Sequence, residues 1–329
     1  MGHRVTVVAR SGVDGRGRVA DPLLQEVVVP AATATWPRRA GPRLESWRWG
    51  RLVARVARRV RPDLLWERAW AGPGADAGQR VARAVGAAHL LEVNAPLSLE
   101  RSAARSVGRT LREVSRRTRR ADRVVVVSPW LVEHVKRLAP SAEVVEVSNG
   151  SDLACPHAPR EAIRESLGWD GPVAVHHGTL RAWHGWSGRS VVRMLDRFSA
   201  AGWRVVVAGD APEGAQVVDH PGLDRLPHAD SEALARMLYA ADVGLAPYPA
   251  AAPAWLDPLK LADCAAIGLP VVGSVHPATR RCAVQVPLHD PDAWVRAAES
   301  VRGQRTARPR PWSQVCTEAL AGWDCRFAS

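Results

Sequence analysis

Trp255-Leu-Asp-Pro-Leu-Lys-Leu-Ala-Asp-Cys-Ala-Ala-Ile-Gly-Leu-Pro-Val-Val-Gly-Ser274 reads as a loop, a helix, a turn and a strand, with a cation and a carboxylate on the opening turn of the helix. Pro258 suits a first helical turn, where its missing N–H costs nothing and its fixed φ is already helical. Asp257 before it is a good N-cap. The free N–H groups at that end and the positive pole of the helix dipole attract an anion, to which Lys260 adds a full charge. Asp263 falls three residues later on the same face, where a carboxylate can accept hydrogen bonds from the two hydroxyls of a ribose. Gly268 then ends the helix, and Leu269 to Val272 opens a buried strand. The same residues also describe a plain capped helix with Lys260 and Asp263 as a surface ion pair, and the stretch alone does not choose between the two.

Working outward, short Val, Ile and Leu runs alternate with helical patterns. One series comprises Arg4 to Ala9, Glu26 to Val29, Leu64 to Trp66, His89 to Val93, Arg123 to Val127 and Glu143 to Val147; a second comprises Val173 to His177, Arg204 to Ala208, Val243 to Ala246, Leu269 to Val272 and Ala283 to Val286. Apolar strands separated by helices indicate parallel sheets covered on both faces, so two series predict two doubly wound domains. The turn Ser148-Asn-Gly-Ser-Asp152 separates them, with Asn-Gly expected to supply positive φ. The expected layout is an acceptor-side domain over 1–147, a donor domain over 148–310, and a C-terminal helix within 311–329 that crosses back to the first domain. In doubly wound sheets ligands sit beyond the carboxyl ends of the strands. The loops at 178–185, 209–212 and 247–260 fall there, which makes the interdomain cleft the expected site.

The chain has 329 residues, 47% apolar and 5% aromatic, which suits a globular protein with more than one core. No apolar run approaches the roughly 18 residues of a membrane span. The opening Met-Gly-His-Arg-Val-Thr-Val-Val-Ala lacks the regions of a signal peptide, so a cytoplasmic location is expected. The five cysteines, at 155, 264, 282, 316 and 325, have no CxxC spacing and read as reduced thiols.

The +12 net charge is unevenly spread: residues 1–150 hold 27 Arg and Lys against 14 Asp and Glu, and the remainder 18 against 19. Arg101, Arg105, Arg109, Arg112 and Arg116 recur at helical spacing, away from the face marked by Ala104, Val107, Leu111 and Val114. A second basic helix runs from about Leu44 to Val60, mixing Trp47, Trp49, Leu52, Val53 and Val56 with Arg48, Arg51, Arg55, Arg58 and Arg59. Such helices can lie on an anionic membrane surface, for which helix 101–120 is the first candidate; a solvated Arg-rich face is the alternative. No recognition helix or aromatic-basic platform accompanies the charge, so nucleic acid is not an expected partner.

Three further segments bear on function. Val175-His-His-Gly-Thr-Leu-Arg-Ala-Trp-His-Gly185 ends a strand in a Gly-Thr turn and leads to a helix expected near Trp186; Gly178 permits close backbone approach and Arg181 can pair with phosphate oxygens. Val207-Ala-Gly-Asp210 is a second strand-to-loop junction, and Ala241-Asp-Val-Gly-Leu-Ala-Pro-Tyr248 a third. In order with Asn149-Gly-Ser-Asp152 and Pro258 to Val272, these resemble the donor domain of family 4 retaining glycosyltransferases. Glu92-Val-Asn-Ala-Pro-Leu97 and Ala121-Asp-Arg-Val-Val-Val-Val-Ser128 resemble its acceptor domain, notably in a bacterial subgroup with a Trp-His-Gly loop and a Pro-Leu-Lys helix.

The resemblance implies an α/β protein of the GT-B fold, with two Rossmann-like domains facing a cleft and the N-terminal one incomplete. It implies metal-independent transfer of a sugar, with retention, from a nucleotide-diphosphate sugar to a hydroxyl acceptor, in glycolipid or surface-polysaccharide synthesis. Lys260 and Arg181 would stabilise the diphosphate and the charge that grows on it. Asp263 would hold the ribose in place of the family's usual Glu. Gly178 and Thr179 would bring N–H groups to the phosphates, and His184, Gly209, Asp210 and Leu261 would complete the donor site. Glu92 and Asn94 would orient the acceptor, or simply cap a loop.

The chain departs from the family at several places. The usual pair of Glu residues, seven positions between them, becomes Trp255 and Asp263, so the donor-sugar carboxylate is missing. Cys264 and Ala265 replace the expected aromatic and methionine. Met1-Gly-His-Arg-Val-Thr-Val-Val resembles the second strand of the family, so that roughly 30 residues, one strand-loop-helix unit, are expected before it; a misplaced start codon is the favoured explanation and a real truncation the other. A GT-B protein that binds nucleotide-sugar or a partner without turnover is the alternative function, and a GT-B sugar-nucleotide epimerase a lesser one.

Two other motifs are discounted. Asp290-Pro-Asp292 imitates a metal-binding DxD but reads as ordinary N-capping. His176 and His177, adjacent on a strand, point to opposite faces and do not make a metal cluster with His184.

Overall fold

The computed structural model describes residues 5–10, 24–29, 41–69, 76–96, 115–180, 185–211 and 217–322. The chain divides into two compact units, one reaching to Val126 and including Leu131–Val145, the other comprising Val127–Trp130 and Glu146–Gly322. Among the described residues no helix is long and apolar enough to cross a membrane.

In the first unit β1 (Val5–Arg10) and β2 (Leu24–Val29) pair in parallel as a two-stranded sheet. α1 (Gly41–Val60), β3 (Leu64–Arg68), α2 (Ala77–Val85), β4 (Ala88–Val93), the helical stretch α3 (115–120), β5 (Arg123–Val126), α4 (Pro129–Leu138) and β6 (Val144–Glu146) follow. β3, β4, β5 and β6 lie side by side in that order, with β3–β4 and β4–β5 parallel. α1 forms because its apolar positions keep helical spacing: Val53 and Ala57, one turn apart, are buried with Val81 of α2. Its Arg51, Arg55, Arg58 and Arg59 are exposed. Residues 101–114, most of the first candidate membrane helix, lie outside the described residues.

The second unit contains α5 (Arg160–Ser166), β7 (Val173–His177), α6 (Arg189–Ala200), β8 (Arg204–Ala208), β9 (Leu223–Leu226), α7 (Ser231–Ala240), β10 (Val243–Ala246), α8 (Leu259–Ile267), β11 (Val271–Ser274), β12 (Val284–Val286), α9 (Pro291–Val301) and α10 (Trp312–Leu320). The strands order as β12-β11-β10-β7-β8-β9, and every pairing is parallel. The pleat divides the core. Val173, Val175, Val206 and Ala208 pack under α5, α7 and α8, whereas Ala174, Val205, Val207 and Leu245 pack under α6 and α9. Both faces being covered explains why the inner strands β7, β8, β10 and β11 read as largely apolar runs.

A buried carboxylate ties the elements of this unit together. Asp242 accepts the Val173 N–H at 2.8 Å, Arg160 at 2.7 Å and Arg164 at 3.2 Å. Burial works to raise the carboxyl, but these three donors hold it below its ordinary value.

Several sequence expectations need correction. Gly150 does not take a positive φ; a Cβ there would meet the Arg310 carbonyl at 2.5 Å and Val315 at 2.7 Å, so it is a close-approach glycine beside α10. β9 lies outside the expected series, and α6 begins three residues after Trp186. Asp290 is an N-cap as expected, accepting the Ala293 N–H at 2.9 Å before Pro291.

Candidate functional site

The order of the second sheet reverses between β7 and β10, since the chain leaves β7 for β8 on one side and reaches β10 and β11 on the other. Such a switch point leaves a crevice beyond the carboxyl ends of the two strands. His176, His177 and Gly178 stand at the end of β7, Pro247 and Tyr248 after β10, and α8 opens nearby.

Glycines hold the crevice open. Gly178 has φ +106° and donates its N–H to the Ala208 carbonyl at 2.9 Å; Gly209, at φ +142°, has room for no Cβ, which would lie 2.3 Å from the Gly178 carbonyl oxygen. Leu180 N–H bonds the Asp210 carbonyl at 2.9 Å, so the turns after β7 and β8 form one bonded surface. Thr179 and Asp210 are exposed on it. Arg181 and His184, expected at this site, lie outside the described residues.

α8 begins at Leu259, with Pro258 at the cap position and no side-chain cap. Asp257 is therefore not the expected N-cap. Its carboxylate accepts the Asn149 N–H at 2.7 Å and stands 3.1 Å from Arg281, while the Asn149 amide donates to the Asp257 carbonyl at 2.7 Å. The absence of a capping side chain leaves the first-turn N–H groups of α8 without an internal carboxylate. Gly268 closes the helix in the left-handed conformation at φ +75°, as the sequence predicts.

Lys260 is not a surface cation: only 8% of it is exposed. Its ammonium contacts His176 Nε2 at 3.0 Å, lies 5.6 Å from the Tyr248 ring centre and runs beside Gly178. His176 Nδ1 is 2.8 Å from the Leu245 carbonyl, which can only accept; Nδ1 thus carries the proton and Nε2 offers its lone pair to Lys260. Trp186, 1% exposed, packs edge-on to His176 at 4.9 Å and fixes the ring. Burial lowers the Lys260 pKa to about 7, against the smaller opposing influence of Cys264 and Asp263. A buried cation held on a neutral imidazole and an aromatic ring gains strongly from an incoming anion.

Asp263 accepts the Ser151 hydroxyl at 2.6 Å, and its other oxygen is 3.8 Å from His177 Nε2. Burial raises its carboxyl above the ordinary value, against the pull of Ser151 and Lys260. Leu261 faces away, buried in the core with Cys264 and Ile267, and its N–H bonds the Pro258 carbonyl at 3.1 Å. Trp255 is half-buried, and its carbonyl accepts the Ser128 hydroxyl at 2.9 Å.

In the first unit, Glu92, next to last in β4, has both oxygens engaged, by Trp66 Nε1 at 2.8 Å and by the Asn94 amide at 2.7 Å. The expected acceptor pair therefore forms one bonded group. The structure brings Gly178, Gly209, Lys260 and Asp263 close to His176 and His177. Only the double histidine at a strand end signals these two in the sequence.

Several solved structures share this architecture. A structure of sucrose-phosphate synthase from Thermosynechococcus elongatus superposes with a TM-score of 0.66 at 15% identity, covering 91% of this chain and 79% of that one. Anabaena HepE in complex with UDP gives 0.62 at 15%, covering 91% and 81%, and HepE with UDP-glucose gives 0.59 at 15%, covering 89% and 79%. The fold is GT-B. Residues 1–154, just under half of the chain, match the model of Glycosyltransferase Family 4. No curated protein sequence matches.

Proposed function

We propose that the chain is a glycosyltransferase that moves a sugar, with retention and without a metal, from a nucleotide-diphosphate sugar to a hydroxyl acceptor. The observation that carries this reading is the buried Lys260 ammonium beside the glycine-cleared turns and the uncapped start of α8. The diphosphate lies against those turns. As the bond from the anomeric carbon to the diphosphate breaks, its electron pair moves to the phosphate oxygen, and Lys260, aided by Arg181, stabilises the charge that collects there. The acceptor hydroxyl forms the new bond on the same face and gives its proton to the departing phosphate. Asp263 orients the ribose. The match of residues 1–154 to a glycosyltransferase family and the UDP and UDP-glucose bound by a protein of the same fold support the donor class.

The acceptor is a glycolipid or polysaccharide precursor presented at the cytoplasmic membrane face. Support comes from α1, which exposes Arg51, Arg55, Arg58 and Arg59 beside a Trp47 that is 55% exposed. A second reading, nucleotide-sugar binding without turnover, draws on Trp255, which stands where a donor-sugar carboxylate is expected.

Calorimetric titration of UDP, GDP, ADP and CDP into the 329-residue chain tests the donor site. The expected result is saturable binding of one of them, lost in Lys260→Ala; no binding, or equal binding in the variant, overturns the reading.

A further inference from the structure

Lys260 is anchored by a residue that carries no charge of its own. His176, buried in β7, stands beside Leu245 of β10, because these strands pair with Gly244 against Val175. Its Nδ1 donates to the Leu245 carbonyl at 2.8 Å, and a carbonyl can only accept, so this bond fixes the tautomer. Nε2 keeps a lone pair, 3.0 Å from the Lys260 ammonium. A second proton on the ring would set two buried cations against each other, so the imidazole is neutral while Lys260 is charged. Trp186, edge-on at 4.9 Å, packs against the ring and limits its rotation.

The other groups facing the ammonium do not take over this role. Tyr248, after β10, offers its ring face at 5.6 Å, and burial raises its phenol above the ordinary value, so it stays protonated. Burial, then the charge of Lys260, holds the His177 imidazole at the end of β7 down at about 3, and it is neutral. On α8 itself, burial raises the Cys264 thiol, and Asp263 gives one oxygen to the Ser151 hydroxyl at 2.6 Å. A carboxylate in the place of His176 would bind Lys260 more tightly but would cancel the charge that attracts an anion. A neutral acceptor stabilises the charged amine and uses one of its three donors, leaving the others for a ligand.

We infer that His176 is a positioning residue for the phosphate contact: through Nε2 it holds the Lys260 ammonium charged beside the Gly178 turn, and through Nδ1 it ties that placement to the sheet. This rests on the donor reading above and adds to it a residue that acts through Lys260. The two ring nitrogens have separable roles, which two amides divide between them. The side-chain amide of asparagine reaches about as far as Nδ1, and that of glutamine about as far as Nε2.

The test titrates UDP, GDP, ADP and CDP into the 329-residue chain by calorimetry from about pH 5.5 to 9, and repeats the series with the tightest binder on His176→Phe, His176→Gln and His176→Asn. In the wild type, affinity falls as pH rises through the Lys260 value of about 7. One hydrogen bond to a charged group is worth about one pH unit, so in His176→Phe the fall moves down to about pH 6. Affinity in that variant is about fivefold below wild type at pH 7 and recovers most of the difference at about pH 5.5. His176→Gln, which keeps an acceptor for Lys260, retains the fall near pH 7; His176→Asn, which keeps only the bond to Leu245, behaves as His176→Phe. If no nucleoside diphosphate binds the wild type, or its affinity is flat with pH, the donor reading at Lys260 fails and the inference with it. If the fall is present but stays in place in a folded His176→Phe, or if His176→Asn restores it and His176→Gln does not, the donor reading stands and the role of His176 is refuted. Should His176→Phe not fold, the contrast between the two amides decides. Nitrogen NMR of the wild-type ring gives a check that needs no variant: a protonated Nδ1 and a bare Nε2 are expected, and the opposite tautomer overturns the inference.

Discussion

Lys260→Met separates charge from packing at the centre of the site. Methionine keeps an unbranched chain beside Tyr248 and Gly178 but removes the ammonium. In the free protein two effects oppose each other. The variant no longer buries an amine whose pKa burial has lowered to about 7, yet it leaves His176 Nε2 without its 3.0 Å donor, a loss of about 1–3 kcal/mol. Thermal stability should therefore change by no more than a few degrees. Binding responds very differently. A hydrogen bond between the ammonium and a phosphate is worth about 3 kcal/mol in a buried setting, so affinity for a nucleoside diphosphate falls roughly 100-fold.

The wild type adds a pH signature. Since burial puts the Lys260 pKa near 7, about half the molecules carry the charge at neutrality, and binding draws a proton onto the rest. Affinity is highest below that value and is lost as pH rises, to about 50-fold weaker at pH 9 than at pH 7. Calorimetry in two buffers of different ionisation enthalpy should show uptake of about half a proton at pH 7. In Lys260→Met both effects disappear. Wild-type affinity that is flat from pH 7 to 9, or a variant that binds as tightly as the wild type, would refute the assignment of Lys260 to the phosphates.

Three other outcomes follow from the same geometry. Asp242→Ala leaves the Val173 N–H unpaired and takes the carboxylate from Arg160 and Arg164, which keep their backbone carbonyl acceptors, and should lower the urea unfolding free energy by about 1–3 kcal/mol; no measurable loss would contradict the clamp. Because the same donors hold the Asp242 carboxyl below its ordinary value, its stabilisation is complete above the ordinary carboxylate range and disappears as pH falls through the lowered value. Gly209→Ala forces a Cβ to 2.3 Å from the Gly178 carbonyl at φ +142°, at a cost of about 1–3 kcal/mol for the backbone alone, and should abolish nucleotide binding measured by calorimetry. Reversal of Arg51, Arg55, Arg58 and Arg59 to Glu should remove binding to vesicles containing phosphatidylserine in sedimentation assays, at about 1 kcal/mol per residue neutralised; unchanged sedimentation would exclude α1 as the contact.

Much of the second unit could be read along the chain because its sheet is parallel and covered on both faces. Runs such as Val173 to His177 and Arg204 to Ala208 have an apolar stretch, Val173 to Val175 and Val205 to Ala208, next to a turn, and each is a strand. The exception is instructive: Leu-Asp-Arg-Leu of β9 lies at the sheet edge, where only Leu223 is buried, so no apolar run betrays it. Gly268 was legible because a left-handed helix end is a local requirement, satisfied by one residue type.

The site was legible only where its chemistry is local. Lys260 and Asp263 share a helix face and could be paired by spacing. What surrounds them could not be read in this way, because His176 meets Lys260 across 84 positions and Ser151 meets Asp263 across 112. Asp257 has the identity and place of an N-cap, but Asn149, 108 residues away, claims its carboxylate. Tertiary competition decides such polar side chains, and their sequence neighbours carry no trace of it.

The most direct measurement is turnover itself. The 329-residue chain is incubated with a panel of nucleotide-diphosphate sugars, polyprenyl- and lipid-linked hydroxyl acceptors and a metal chelator; released nucleoside diphosphate is quantified, and the anomeric configuration of the product is read by NMR. Retaining transfer through Lys260 predicts stoichiometric release and glycoside formation with one donor, with the donor's anomeric configuration kept, and none of either in Lys260→Ala. Donor binding without any glycoside product, or a product of inverted configuration, would contradict it.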